Sequence, residues 1–121
     1  MKIEKLSPVF SICRLQDFSH VNLENPYCFA ACTDEEKSLV CPSEFVPENV
    51  LNQDDGWRAF RIQGTLDFSL VGILAKISAL LAAENIGIFA VSTYNTDYIL
   101  TKEANFNRAM EALAAAGYCI L

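Results

Sequence analysis

Ser92, Thr93, Tyr94, Asn95, Thr96 and Asp97 form an unbroken run of hydroxyl, amide and carboxylate groups, set between the apolar stretch 86–91 and Tyr98-Ile99-Leu100. A plain hairpin turn needs only about two or three such residues. Either this turn is generous, or its side chains face something that wants hydrogen bonds. Other chemistry is thin. The single histidine, His20, sits in the polar linker 16–26, where an exposed imidazole is expected. No Ser–His–acid or Cys–His arrangement emerges beyond mere composition. Asp34, Glu35 and Glu36 read as a solvated turn rather than a carboxylate dyad. The segment 64–72, "GTLDFSLVG", lacks the Gly-Lys-Ser/Thr ending of a phosphate loop and any lysine to meet phosphate. These residues predict a protein that is not an enzyme and uses no cofactor.

Cys13, Cys28, Cys32, Cys41 and Cys119 make an odd count. Without a signal peptide, that count favours free thiols in a reducing compartment. The first ten residues hold no hydrophobic core long enough for such a peptide, so the cytoplasm is the expected location. Cys28 and Cys32 lie four residues apart, and a helix would bring their sulfurs together. The surrounding "YCFAACT" is rich in aromatic and small residues and reads as a strand instead. On a strand their Cα atoms stand about 13 Å apart, too far for a shared zinc or a disulfide. No metal site is expected, and small buried hydrophobes is the expected role. A redox-sensitive protein is the competing reading, which requires a fast-reacting thiol in the native state.

Hydrophobic residues at 52% and charged residues at 20% are the balance of a folded domain rather than a disordered chain. The net charge of -6 excludes a phosphate-backbone binder, because no Lys/Arg cluster exists to displace counterions. It argues equally against an anionic membrane surface. The apolar stretch from Leu70 to Ala83 is interrupted by Lys76 and Ser78 and is too short to span a bilayer.

These groups must be positioned by regular elements. Residues 7–15 and 26–33 read as strands, and 27–41 as a hairpin turned by "TDEEKS". "PSEFVPENV" suits a short helix or turn, and "NQDDG" is the expected boundary between two parts. Residues 57–64 alternate as a strand ending at Gly64. Leu70, Ile73, Leu74, Ile77, Leu80 and Leu81 then recur at helical spacing, with Asp67 or Ser69 as N-terminal cap and Asn85 with Gly87 at the exit. "IGIFAVS", the turn "YNTD" and "YILTK" form a second hairpin. A second helix, capped by Asn105 and stopped by Gly117, turns Phe106, Met110 and Leu113 inward before the closing strand "YCIL". The order β-α-β-β-α-β is the ferredoxin-like plan, an α+β fold with helices on one face of an antiparallel sheet.

Residues 57–121, above all "DFSLVG" and "STYNTDY", resemble ACT domains, the regulatory modules of aspartate kinases and other amino-acid enzymes. The match is closer to small bacterial proteins with two ACT-like units, which are similar to the animal arginine sensors. Residues 1–55 would then be an abbreviated ACT-like unit and 56–121 a complete one. The resemblance implies a homodimer and a small-molecule ligand, commonly an amino acid, held against the loop between first strand and first helix. Here that loop contributes Asp67, Phe68, Ser69, Leu70, Val71 and Gly72. A helix N-terminus there suits a carboxylate, and Gly72 removes a side chain where the ligand would meet the backbone. Asp97 matches the acidic ligand contact of the arginine sensors, with Ser92, Thr93 and Tyr94 beside it.

Each residue has a plainer role available. Asp97 can brace a turn through its own backbone, Ser92 and Thr93 can be routine strand polar residues, and Asp67 a helix-start acid. Gly72 can serve close helix packing, and Tyr94 can be a hairpin aromatic. The alternative to a sensor is an interaction module without a working ligand site.

Overall fold

The computed structural model describes residues 1–64 and 71–121. Its strands are β1 (Lys2–Leu15), β2 (Phe29–Cys32), β3 (Lys37–Pro42), β4 (Val50–Ile62), β5 (Phe89–Ser92), β6 (Asp97–Lys102) and β7 (Cys119–Ile120), and its helices α1 (Ile73–Ala83) and α2 (Glu103–Ala115). The expected α+β class and the β-α-β-β-α-β order from β4 to β7 are both present.

Two compact units divide the chain, and each draws on β1 and β4. One comprises Met1–Ser7 with Arg58–Leu121, the other Pro8–Trp57. The expected boundary after residue 55 falls inside β4. Strand β4 runs through Asn52, Gln53, Asp54, Asp55 and Gly56, residues that strands ordinarily avoid. Most of these side chains are exposed, and β1 lies alongside to pair with the backbone. Turn-like composition was therefore overridden by a neighbouring strand. Gly56 takes φ +80, a left-handed conformation that glycine adopts without steric cost.

In the helical unit the strands run β7–β1–β4–β6–β5. Closing strand β7 pairs in parallel with β1, Cys119 opposite Lys2 and Ile120 opposite Ile3. Three backbone bonds fix the arrangement: Cys119 N–H to Met1 O at 3.0 Å, Leu121 N–H to Ile3 O at 2.8 Å, and Gln63 N–H to Lys2 O at 3.0 Å. The chain's first residues thus separate β7 from β4. Ile3, Phe60, Ile62 and Ile99 from the strands close a core with Ile77 and Leu81 of α1 and Phe106, Ala109, Met110 and Leu113 of α2. The inward stripe expected for the second helix is therefore present.

Both helices end as their sequences direct. Asn85 at φ +59 and Gly117 at φ +101 occupy the left-handed position after the last turn. Ile86 N–H returns to Leu81 O and Tyr118 N–H to Leu113 O, each closing a Schellman motif. The helix starts differ from expectation. Gly72, not Asp67 or Ser69, is the N-cap of α1, with no side-chain cap bond. Helix α2 begins at Glu103, two residues before the expected Asn105 cap, where an acid in the first turn favours the helix dipole. Asn105 instead accepts a bond from Arg108 at 3.0 Å.

The other unit orders its strands β2–β3–β1–β4. Its core gathers Cys13, Leu15, Leu39 and Cys41, flanked by Phe18, Val21 and Cys28. Only part of the cysteine expectation survives. Cys13 and Cys41 are buried, Cys28 is half-buried and lies before β2, and Cys32 and Cys119 are exposed. The side-chain hydrogen bond with Cys13, together with burial, raises the Cys41 thiol far above the ordinary range. Burial also raises Cys28. Thiol-exchange labelling of the native protein should therefore modify Cys32 and Cys119 promptly and Cys13 and Cys41 only on unfolding. Prompt native labelling of Cys41 would contradict the packing.

Candidate ligand site

The hairpin joining β5 to β6 brings Ser92 directly opposite Asp97. Thr93 and Thr96 close its turn. Thr93 N–H donates to Thr96 O at 2.9 Å, and the Thr93 hydroxyl donates to the same oxygen at 3.0 Å. The buried Thr96 donates its hydroxyl to Ile62 O at 2.8 Å, tying the turn to the end of β4. Thr96→Val should lose about 1–3 kcal/mol of stability, read by urea unfolding, because a buried carbonyl loses the hydroxyl that donates to it. Tyr94 is 79% exposed and is no part of the core.

Ser92 and Asp97 have a different relation. The exposed Ser92 hydroxyl donates to Asp97 Oδ1 at 2.6 Å, with Asp97 half-buried. Asp97 does not brace the turn through its own backbone among the described bonds. The chain supplies its own comparison for judging that pair. Strands β2 and β3 form a hairpin in the same register sixty positions earlier, Phe29 opposite Val40 and Cys32 opposite Lys37, as Phe89 stands opposite Leu100 and Ser92 opposite Asp97. Thr33 closes that turn as Thr93 closes this one, its N–H donating to Glu36 O at 2.9 Å. The turn chemistry therefore needs the threonine. It does not need the Ser92–Asp97 pair, since Cys32 and Lys37 occupy those places in the first hairpin.

Helix α1 opens at Gly72, whose φ of +81 is the left-handed region. A Cβ built there meets nothing within 4 Å, so conformation rather than close packing explains the glycine. Gly72→Ala should therefore cost about 1–2 kcal/mol through backbone strain alone, measurable as a lowered unfolding midpoint. Val71, Gly72, Ile73 and Lys76 line a cavity of about 300 Å³ with Met1, Ala116, Gly117 and Tyr118. The first-turn N–H groups of α1 have no side-chain cap. Lys76 sits beside them in that first turn, where a cation opposes the helix dipole. Neither Lys76 nor Tyr118 was singled out from the sequence. Lys76 read there only as an interruption of the apolar stripe, although a cation in the first turn of a helix was the available signal.

A second cavity, of about 370 Å³, is lined by Glu4, Arg61, Gly64, Asn95, Thr96 and Tyr98. Arg61 Nε donates to Glu4 Oε1 at 3.1 Å and Arg61 Nη1 to Tyr98 OH at 3.1 Å. The Glu4 carboxylate first, then the Tyr98 hydroxyl, raises the guanidinium above its ordinary pKa. The cavities beside Gly72 and beside the hairpin turn are thus lined by separate sets of residues. Asp67, Phe68, Ser69 and Leu70, expected from the sequence as ligand contacts on the loop before the first helix, lie outside the described residues.

A ferredoxin-like unit with an uncapped first helix lining one cavity and a polar hairpin lining another defines a class of small α+β domains. The sequence profile of the ACT domain matches residues 52–115, and the chain belongs to that family. The human protein CASTOR3P is similar over 103 residues at 35% identity, covering 79% of this chain. The chain spans only 60% of that relative's length. A crystal structure of an Agobacterium tumefaciens protein superposes with a TM-score of 0.87 at 30% identity, covering 99% of this chain and 91% of that one. The aspartate kinase of Clostridium acetobutylicum shares the fold at a TM-score of 0.63 and 14% identity, over 94% of this chain and 33% of the kinase. Among the described residues, no helix is long and apolar enough to cross a membrane.

Proposed function

We propose that this chain is a regulatory module without catalytic activity of its own, which binds an amino acid between the 67–72 loop and the 92–97 hairpin. The observation that carries the reading is the Ser92–Asp97 pair, which the first hairpin shows to be unnecessary for the turn. In this reading Asp97 accepts the ligand's ammonium, while the uncapped α1 N-terminus and Lys76 receive its carboxylate. Asp67, Phe68, Ser69 and Leu70 complete the loop side, Val71 and Gly72 form its helix end, and Thr93 and Tyr94 border the hairpin side. The likeness in fold to an aspartate kinase described as an allosteric enzyme supports a regulatory role. Two ACT-like units, the first abbreviated, act in this reading as a cytoplasmic homodimer whose geometry responds to ligand. Thermal unfolding against each standard amino acid at millimolar concentration tests it. A ligand at about a hundred times its Kd stabilises by about 2.7 kcal/mol, which raises Tm by several degrees in a domain of this size. Uniform Tm values across the series would leave the interaction-module reading in its place.

A further inference from the structure

We propose that Cys28 and Cys41 form a redox-modifiable dithiol, which a small disulfide of the glutathione type converts to a disulfide bond by entering at Cys28. The inference does not depend on the amino-acid reading, and it uses neither of the exposed cysteines, Cys32 and Cys119. It rests on strand register. Strands β2 and β3 pair antiparallel, with Phe29 opposite Val40 and Cys32 opposite Lys37. One further step along the same register, just before β2, sets Cys28 opposite Cys41.

The parity of that position favours a bond. Thr33 N–H donates to Glu36 O at 2.9 Å, so residues 33 and 36 are a hydrogen-bonded pair of the ladder. Such pairs alternate with non-hydrogen-bonded ones, which makes 28 and 41 a non-hydrogen-bonded pair. Cα atoms in pairs of that kind stand about 4.5 Å apart, within the range of roughly 4.4–6.8 Å that a disulfide spans. Packing agrees with the register, because Cys28 lies against the buried cluster of Cys13, Leu15, Leu39 and Cys41.

Access divides the work between the two sulfurs. Cys28 is half-buried, whereas Cys41 is fully buried. A small disulfide RSSR therefore meets Cys28 alone, and Cys41 reacts only with a neighbour already in the fold. The Cys28 thiolate attacks one sulfur of RSSR, forms Cys28–S–S–R and expels RS⁻. Cys41 then attacks the Cys28 sulfur and expels the second RS⁻. The protein pair loses two electrons, RSSR gains them, and the two thiol protons end on two RSH. Cys13, hydrogen-bonded to Cys41, offers the Cys41 proton an acceptor on the way. Burial raises the Cys28 thiol, so entry is slow at neutral pH and faster in alkaline solution.

Exposure of the full native chain to excess glutathione disulfide, then blocking with N-ethylmaleimide in denaturant and peptide mass mapping without reduction, tests the assignment. Peptides joined through Cys28 and Cys41 are expected, with Cys13 carrying maleimide and Cys32 and Cys119 carrying glutathione. Dithiothreitol should reverse the link. The double variant Cys32→Ser/Cys119→Ser, which keeps only the cysteines of this cluster, should form the same link. Cys28→Ser should leave Cys41 free to take maleimide once unfolded. Cys41 carrying maleimide in the oxidised parent, Cys41 joined to Cys13 instead, or Cys41 blocked equally in Cys28→Ser would each overturn the proposal.

Discussion

Deleting residues 1–7 should abolish cooperative folding of the 58–121 region, although that region by itself contains a whole β-α-β-β-α-β sequence. The reason is where β1 sits. Ile3 is fully buried in the core shared by α1, α2 and β4. Lys2 and Ile3 supply the backbone to which β7 and Gln63 are bonded. Removing them leaves β7 without its described partner and opens the centre of the apolar core. The milder variant Ile3→Ala should cost about 2–5 kcal/mol, the range for truncating a buried aliphatic side chain. Since a domain's whole stability is about 5–15 kcal/mol, that loss is readable in urea unfolding followed by circular dichroism. An Ile3→Ala protein whose unfolding free energy matches the parent would show that β1 does not close this core.

The second large effect concerns Asp97. Asp97→Ala should weaken ligand binding by about 2–5 kcal/mol if it removes one side of a desolvated charge pair. Its effect on folding should be far smaller. The variant loses one bond from the exposed Ser92 hydroxyl, worth about 1 kcal/mol. The turn itself stays closed by Thr93 and Thr96. The first hairpin already closes with Cys32 and Lys37 at the equivalent places. Calorimetric titration of parent and variant separates the two effects, because Ser92→Ala removes the same bond while keeping the carboxylate. Equal affinities in parent and Asp97→Ala would remove Asp97 from the site.

Much of this architecture was legible in the sequence because periodicity and end signals act locally. The stripe of Phe106, Met110 and Leu113 faces the core, and Asn85 and Gly117 terminate their helices. The two hairpins were readable from polar turns between apolar runs. What was not legible depends on partners distant in sequence. Nothing in "NQDDG" reports that β1 will lie alongside and hold it as strand. Likewise a strand was expected from residue 7, whereas β1 extends back to Lys2, where β7 and Gln63 bond to its first residues. Cys32 was assigned to the interior by residue type, but β2 is an edge strand and leaves it exposed. The candidate site divides the same way. The surplus polarity of Ser92 and Asp97 was visible in the run itself, while Lys76 and Tyr118 join Gly72 only once the helices are packed.

The most direct test follows backbone amide shifts of the ¹⁵N-labelled protein while the amino acid giving the largest Tm rise is titrated in. Ligand held between loop and helix on one side and hairpin on the other should shift Gly72, Ile73 and Lys76 together with Ser92, Thr93 and Asp97, all along one binding curve. Shifts confined to one of these groups, or absent from both, would contradict a single amino-acid site formed by the two.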